Sequence, residues 1–221
     1  MCLVGIKPSG TEVTDKILDV IASTTMRYRC GVGFAYKRAN ENVVHFKKKV
    51  DYSYKELYAD LQKLELQAED EIIWHGRAAT HGDISDSNAH PYILGEVSFD
   101  KNKLTTEGSV RNTGVFAHNG IFNIRSNHNP HLSDTYNYGI EILTKPEVIE
   151  LIKEDPELYG KMYAKYGWAK LAFLFPDVGI RYTTNDSDWI IDKELGCIFS
   201  NSGYGNSRYY DIGGKTVLIN N

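Results

Sequence analysis

Apolar and polar positions follow two periods along this chain. The opening MCLVGI is a short apolar run bounded by Pro8-Ser9-Gly10, which predicts a buried strand closed by a turn. Val13, Ile17, Val20 and Ile21 recur at helical spacing, and the pattern stops before Gly31 and Gly33. VGFAY and NVVHFKKKV then read as paired strands around an ANEN turn. Ser53 with Glu56 forms a capping-box pair, and Tyr54, Leu57, Tyr58, Leu61 and Leu64 continue it as one apolar face, predicting a helix over 54–69.

EIIWHGRAA predicts a strand, THGDISDSNAHP a polar turn-rich stretch, and GVFAHNG a second apolar run ending on Asn119-Gly120. Residues 123–135 read as a loop that carries several chemically able side chains. Thr144 with Glu147, and Asp155 with Pro156, predict the caps of two short helices. WAKLAFLF, IRYTT, CIFSN and TVLIN predict further strands, Tyr159, Tyr163 and Tyr166 one helix face, and Lys47-Lys48-Lys49 a solvated strand edge. Strands at both ends with helices between strand groups suit packed layers of a mixed α and β fold.

Composition narrows the class. A chain of 221 residues with 42% apolar and 24% charged side chains and a net charge of -4 excludes a fibrous, disordered or strongly basic protein, and no nucleic-acid footprint is expected. Length and the lack of a linker predict one domain over residues 1–221, with no second domain appended. The first twenty residues include acidic side chains and no continuous apolar run, and no stretch approaches eighteen apolar residues, so neither a secretory signal nor a membrane span is expected. Cys2, Cys30 and Cys197 are too few and too scattered for a disulfide scaffold, which fits a reducing cytoplasm. The dispersed glycines form no phosphate cradle, and no cofactor is expected.

Cys2 carries the chemistry most directly. Loss of Met1 would place a free amine beside a thiol, pairing a good nucleophile with an unperturbed pKa of about 8.5 and a base with one of about 7.7. Arg77, within Trp74-His75-Gly76-Arg77-Ala78-Ala79-Thr80-His81-Gly82, offers a planar donor fork suited to a carboxylate. Six of the seven histidines, at 75, 81, 90, 118, 128 and 131, with Asp83, Asp86 or Asp134, raise a metal-hydrolase alternative, but their spacing fits no compact zinc motif and no metal is expected. His81 and His118 read instead as satisfying backbone groups at two strand ends.

The Trp74–Gly82 segment and Phe116-Ala117-His118-Asn119-Gly120-Ile121-Phe122-Asn123 resemble the two signature segments of the class II glutamine amidotransferase domain, an N-terminal nucleophile hydrolase. The resemblance takes in Cys2, His90-Pro91 and Asp134, and so spans much of residues 2–135. It departs at Tyr28, where glycine is common, at Cys30, where an acid is common, and at the small Gly76 and Ala78. It implies a four-layer α/β/β/α sandwich, an α+β fold, with Cys2 at a sheet edge facing Asn119 and Arg77. It also implies hydrolysis of L-glutamine through a Cys2 thioester, with the Cys2 amine as base and acid and Asn119 and Gly120 as the oxyanion hole. Arg77 would hold the substrate α-carboxylate and Asp134 the α-ammonium, with Thr80 and His81 lining the pocket. A separate ammonia-accepting synthase subunit is the partner implied. Alternatives are an inactive glutamine-binding or regulatory subunit, or a hydrolase of the same class acting on a different amide.

Overall fold

The structure, a computed structural model, describes residues 1–95, 105–122, 130–163, 169–184 and 189–204, with the backbone alone at 163, 208–212 and 215–219. Its spine is β1 (Leu3–Lys7), which pairs antiparallel with β4 (Glu71–Gly76) on one side and β11 (Cys197–Phe199) on the other. Strands β2 (Val32–Lys37), β3 (Val44–Lys49) and β6 (Glu107–Val110) extend this sheet beyond β4, and β10 (Ile190–Asp192) extends it beyond β11. A second antiparallel sheet has the order β5-β7-β8-β9, built from Tyr92–Ile93, Val115–Asn119, Lys170–Phe175 and Gly179–Tyr182. β12 (Arg208–Ile212) and β13 (Lys215–Ile219) form a two-stranded ribbon.

Strand alternation sorts the apolar side chains into three cores. On one face of the large sheet, Leu3, Phe34, Ile72 and Trp74 pack against Ile17, Ile21, Leu57 and Leu61 of α1 (Asp15–Arg27) and α2 (Tyr54–Lys63). From its other face, Val4, Ile6, Ala35 and Ile73 meet Val115, Ala117, Ala172 and Leu174 of the second sheet. The outer face of that sheet places Phe116, Leu171 and Phe173 against Tyr136, Val148 and Tyr159 of α3 (Asp134–Glu141), α4 (Pro146–Glu154) and α5 (Pro156–Tyr163). The fold is thus α+β, two antiparallel sheets flanked by helices, and each fully buried aliphatic or aromatic side chain contributes about 1.5–3 kcal/mol. Among the described residues no helix is long and apolar enough to cross a membrane.

Several elements differ from the pattern predicted above. α2 ends at Lys63 rather than 69, and the chain turns through Glu65 at φ 48°. Lys7, buried on β1, explains where that chain goes: its ammonium donates to the carbonyls of Gln67 at 3.3 Å and Ala68 at 2.6 Å, and to that of Asp70. Within the expected loop, 123–129 lie outside the described residues, and Ser133 caps α3 by accepting from the Tyr136 N–H at 3.1 Å. Thr144 does not cap α4; its hydroxyl donates back to Ile140 O at 2.9 Å, and Pro146 opens the helix instead. Asp155 does cap α5, through Leu158 N at 2.8 Å.

The lysine run is not a sheet edge, because β3 lies between β2 and β6. Lys47 and Lys49 pair with Asp60 and Glu56, while Lys48 is buried, donates to Ser87 O at 3.1 Å and sits 4.4 Å from the Tyr92 ring centre. Strands β5, β6, β10 and β12 come without a sequence expectation. Trp168, Tyr166, His128 and Gly205 lie outside the described residues, as does the Tyr163 side chain.

Candidate active site

The candidate site grows from three strand ends. Leu3 and Val32 both stand opposite Gly76, so the chain leaving β4 at Arg77 runs between Cys2 and Gly31. Arg77 N donates to Gly31 O at 2.8 Å, and Ala78 N donates to Cys2 Sγ at 3.3 Å, with the thiol 3.5 Å from Ala78 O. Cys2 therefore sits at the end of a central strand and not at a sheet edge. Two of the departures are complementary: a Cβ at Gly76 would lie 2.5 Å from Cδ2 of Tyr28, so the large residue at the end of α1 fills the space left by the small one on β4.

One imidazole ties the two sheets together at these ends. His75 Nε2, on β4, donates to His118 O on β7 at 3.0 Å, which brings the two signature segments side by side. His118 Nδ1 shares a 2.9 Å hydrogen bond with Thr135 Oγ1, and His81 Nδ1 a 3.2 Å one with Thr80 Oγ1. The backbone-satisfying role expected of His81 and His118 thus belongs to His75. The His90 and His75 ring centres lie 3.9 Å apart with the rings tilted by 46°, and a Cβ at Gly33 would lie 2.2 Å from His90 O, so only glycine admits this approach. Burial holds His75 and His118 down to about 3, and His90 well below the ordinary range, so all three are neutral near pH 7.

Cys2, Arg77, Thr80, His81, Gly120 and Asp134 border one cleft, with His90, His118 and Thr135 in its wall. Its open space is about 20 Å³, room for about one water molecule. The two groups expected to recognise substrate are held internally: the buried Arg77 guanidinium donates to His81 O at 2.7 Å and Asp83 O at 2.8 Å, and Asp134 Oδ2 accepts from Phe122 N at 2.8 Å. Asn119 is not among the residues bordering the cleft; its Nδ2 lies 2.9 Å from Ser200 Oγ on the inter-sheet side, and its Oδ1 is buried with no partner among the described residues. Burial raises the Cys2 thiol above its ordinary range, opposed by the Ala78 hydrogen bond, the terminal amine and Arg77, so the resting sulfur is a protonated thiol.

Two residues that the sequence reading passed over as a strand end also reach this region. Asn201 Nδ2 donates to Cys2 O at 2.6 Å, and Ser200 Oγ accepts from Val4 N at 2.9 Å. The signal was present in form, since a polar pair after an apolar strand is the pattern of Asn119-Gly120 as well. Among the described residues, no three His, Cys, Asp or Glu side chains are arranged to hold a metal ion.

No protein-family model and no curated protein matches the chain. Among solved structures it is similar to glutamine phosphoribosylpyrophosphate amidotransferase from B. subtilis in complex with ADP and GMP, at 13% identity over 99% of this chain and 44% of that one, with a TM-score of 0.51. A structure described as the allosteric regulatory enzyme of purine biosynthesis matches at 13% identity over 90% of this chain and 41% of its own, with a TM-score of 0.47. The chain spans less than half the length of either protein. The two flanked sheets are therefore related in fold to part of a glutamine phosphoribosylpyrophosphate amidotransferase.

Proposed function

We propose that this chain is a cysteine-dependent glutaminase subunit of the N-terminal nucleophile class, releasing ammonia from L-glutamine for a separate acceptor enzyme. The observation that carries this reading is convergence: Cys2, Arg77, Thr80, His81, Gly120 and Asp134 come from four separate stretches of chain and border one cleft. The likeness in fold to an amidotransferase that carries glutamine in its name agrees with it, and the part of that protein left uncovered agrees with an acceptor carried elsewhere.

In this reading the Cys2 amine, freed by loss of Met1, takes the thiol proton as sulfur attacks the side-chain amide carbon of glutamine. The C–N bond breaks, the amine passes the proton to the leaving nitrogen, and ammonia departs from a glutamyl thioester. Water adds to the thioester, glutamate leaves, and the sulfur regains its proton. A thiol kept protonated by burial suits a step in which the proton moves as the bond forms. Asn119 and the Gly120 amide would stabilise the tetrahedral oxyanion, an effect worth about 3–4 kcal/mol per donor. Arg77 would exchange the His81 and Asp83 carbonyls for the substrate carboxylate, and Asp134 would take the ammonium, so the 78–83 segment moves when glutamine enters.

The test is glutamate release from L-glutamine by protein whose loss of Met1 has been verified, with Cys2→Ala as control. Release by the parent and none by Cys2→Ala is expected. Saturable glutamine binding without ammonia would sink the glutaminase and leave a glutamine-binding subunit. Turnover of another amide that survives Arg77→Ala would assign a different substrate.

A further inference from the structure

Ser200 and Asn201, which follow β11, join the nucleophile strand to the residue expected in the oxyanion hole. Ser200 grips Val4 twice, its N–H donating to Val4 O at 2.9 Å and its Oγ accepting from Val4 N at 2.9 Å. Cys2 stands two residues before Val4, immediately ahead of β1. Asn201 donates through Nδ2 to Cys2 O at 2.6 Å and accepts at Oδ1 from Gly203 N at 2.8 Å. A carbonyl only accepts and an N–H only donates, so the Asn201 amide has one possible orientation here.

Asn119 is the other half of the junction. As the carboxamide is placed, Nδ2 lies 2.9 Å from Ser200 Oγ and Oδ1 is buried with no partner among the described residues. Oxygen and nitrogen of a carboxamide are interchangeable in position, and the hydrogen-bond network decides between them. Ser200 Oγ already accepts from Val4 N, so its remaining need is an acceptor for its own proton. Asn119 Oδ1 next to Ser200 supplies that acceptor and turns the NH₂ into the unpartnered position, where a buried donor waits for an acceptor. The opposite orientation leaves both the serine proton and Oδ1 without partners among the described residues.

We infer that Ser200 and Asn201 are positioning residues: Ser200 orients the Asn119 carboxamide so that its NH₂ is the free end, and Asn201 fixes the main chain of Cys2. The Ser200 half rests on the glutaminase reading above; the Asn201 half is tested apart from it. Full-length protein lacking Met1 would be compared as Ser200→Ala, Ser200→Cys, Ser200→Thr and Asn201→Asp. Two readouts are used: kcat and KM for glutamate release, and the iodoacetamide alkylation rate of Cys2, followed on its own peptide by mass spectrometry. Alkylation displaces iodide at sulfur and develops no oxyanion, so it reports only on the nucleophile.

Ser200→Ala is expected to lower kcat about tenfold or more, with KM within about twofold and alkylation unchanged, because an oxyanion donor acts on the transition state alone. Ser200→Thr keeps the hydroxyl and restores most of kcat, and Ser200→Cys, nearly isosteric with a weaker hydrogen-bonding group, falls between. Asn201→Asp turns an acceptor toward Cys2 O and is expected to slow alkylation about fivefold, with kcat falling in parallel. Wild-type kcat in Ser200→Ala, or in Ser200→Cys should the alanine variant not fold, overturns the Ser200 role. A wild-type alkylation rate in Asn201→Asp overturns the Asn201 role. A parent protein that alkylates at Cys2 but releases no glutamate sinks the glutaminase reading and the Ser200 role with it, and the Asn201→Asp alkylation rate still decides the other half.

Discussion

At the scale of single residues, Gly76 and Tyr28 show how two departures from a motif make sense as one pair. A Cβ at 76 would stand 2.5 Å from both the Tyr28 ring and Thr24 Cγ2. Gly76→Ala is therefore expected to cost about 1–3 kcal/mol by overpacking, read as a lower Tm. In a Tyr28→Ala background the penalty should shrink, and an equal penalty in both backgrounds would show that the ring is not what fills the space. Stretches that come together at the cleft stand out in the sequence because polar or turn residues interrupt apolar strands at their ends, as at Arg77 after β4 and Gly120 after β7. The directions of their side chains do not. Arg77 faces its own loop because the carbonyls of His81 and Asp83 curl back to it, and Asn119 faces Ser200 because β1 carries both into contact. Such pairings join positions far apart in the chain, and no local spacing encodes them.

Among the elements, the buried Lys7 does what a helix cap does, but from a strand. Its ammonium collects the Gln67, Ala68 and Asp70 carbonyls on the stretch between α2 and β4. Lys7→Met should leave these acceptors without their charged donor, at a cost of about 3 kcal/mol, and lower the urea midpoint accordingly. An unchanged midpoint would mean that water reaches the carbonyls. Periodicity found α1, α2 and the strands that line the cores, since each repeats an apolar face. It overran α2 because Leu64 and Leu66 continue the apolar pattern while Glu65 leaves the helical backbone. It missed two-residue β5 and three-residue β10, which are too short to show a period. The Lys47–Lys49 run looked like an edge because charge alone does not reveal that β6 pairs beyond it.

For the molecule as a whole, the neutral imidazoles between the sheets set an acid limit. Unfolded, they take up protons near pH 6.5; folded, burial holds His75 and His118 to about 3. The unfolded chain binds more protons between those values, so stability present above pH 6.5 is lost as pH falls toward 3, at about 1.4 kcal/mol per pH unit for each imidazole. The charged groups acting on this cluster, Arg77 on His75 and His90, and Lys48 on His90, push the same way. Guanidinium midpoints should fall clearly between pH 7.5 and 5.0, and a flat profile would show that the folded state accepts these protons. The placement of β1 bears on how the protein is made. Its partner strand β4 is complete by Gly76, whereas β11 is translated only by Phe199. At synthesis rates of about 5–20 residues per second, the first strand waits roughly 10–40 s with one edge bare. A nascent chain stalled before Cys197 would carry its thiol on an unpaired β-edge, a template for aggregation.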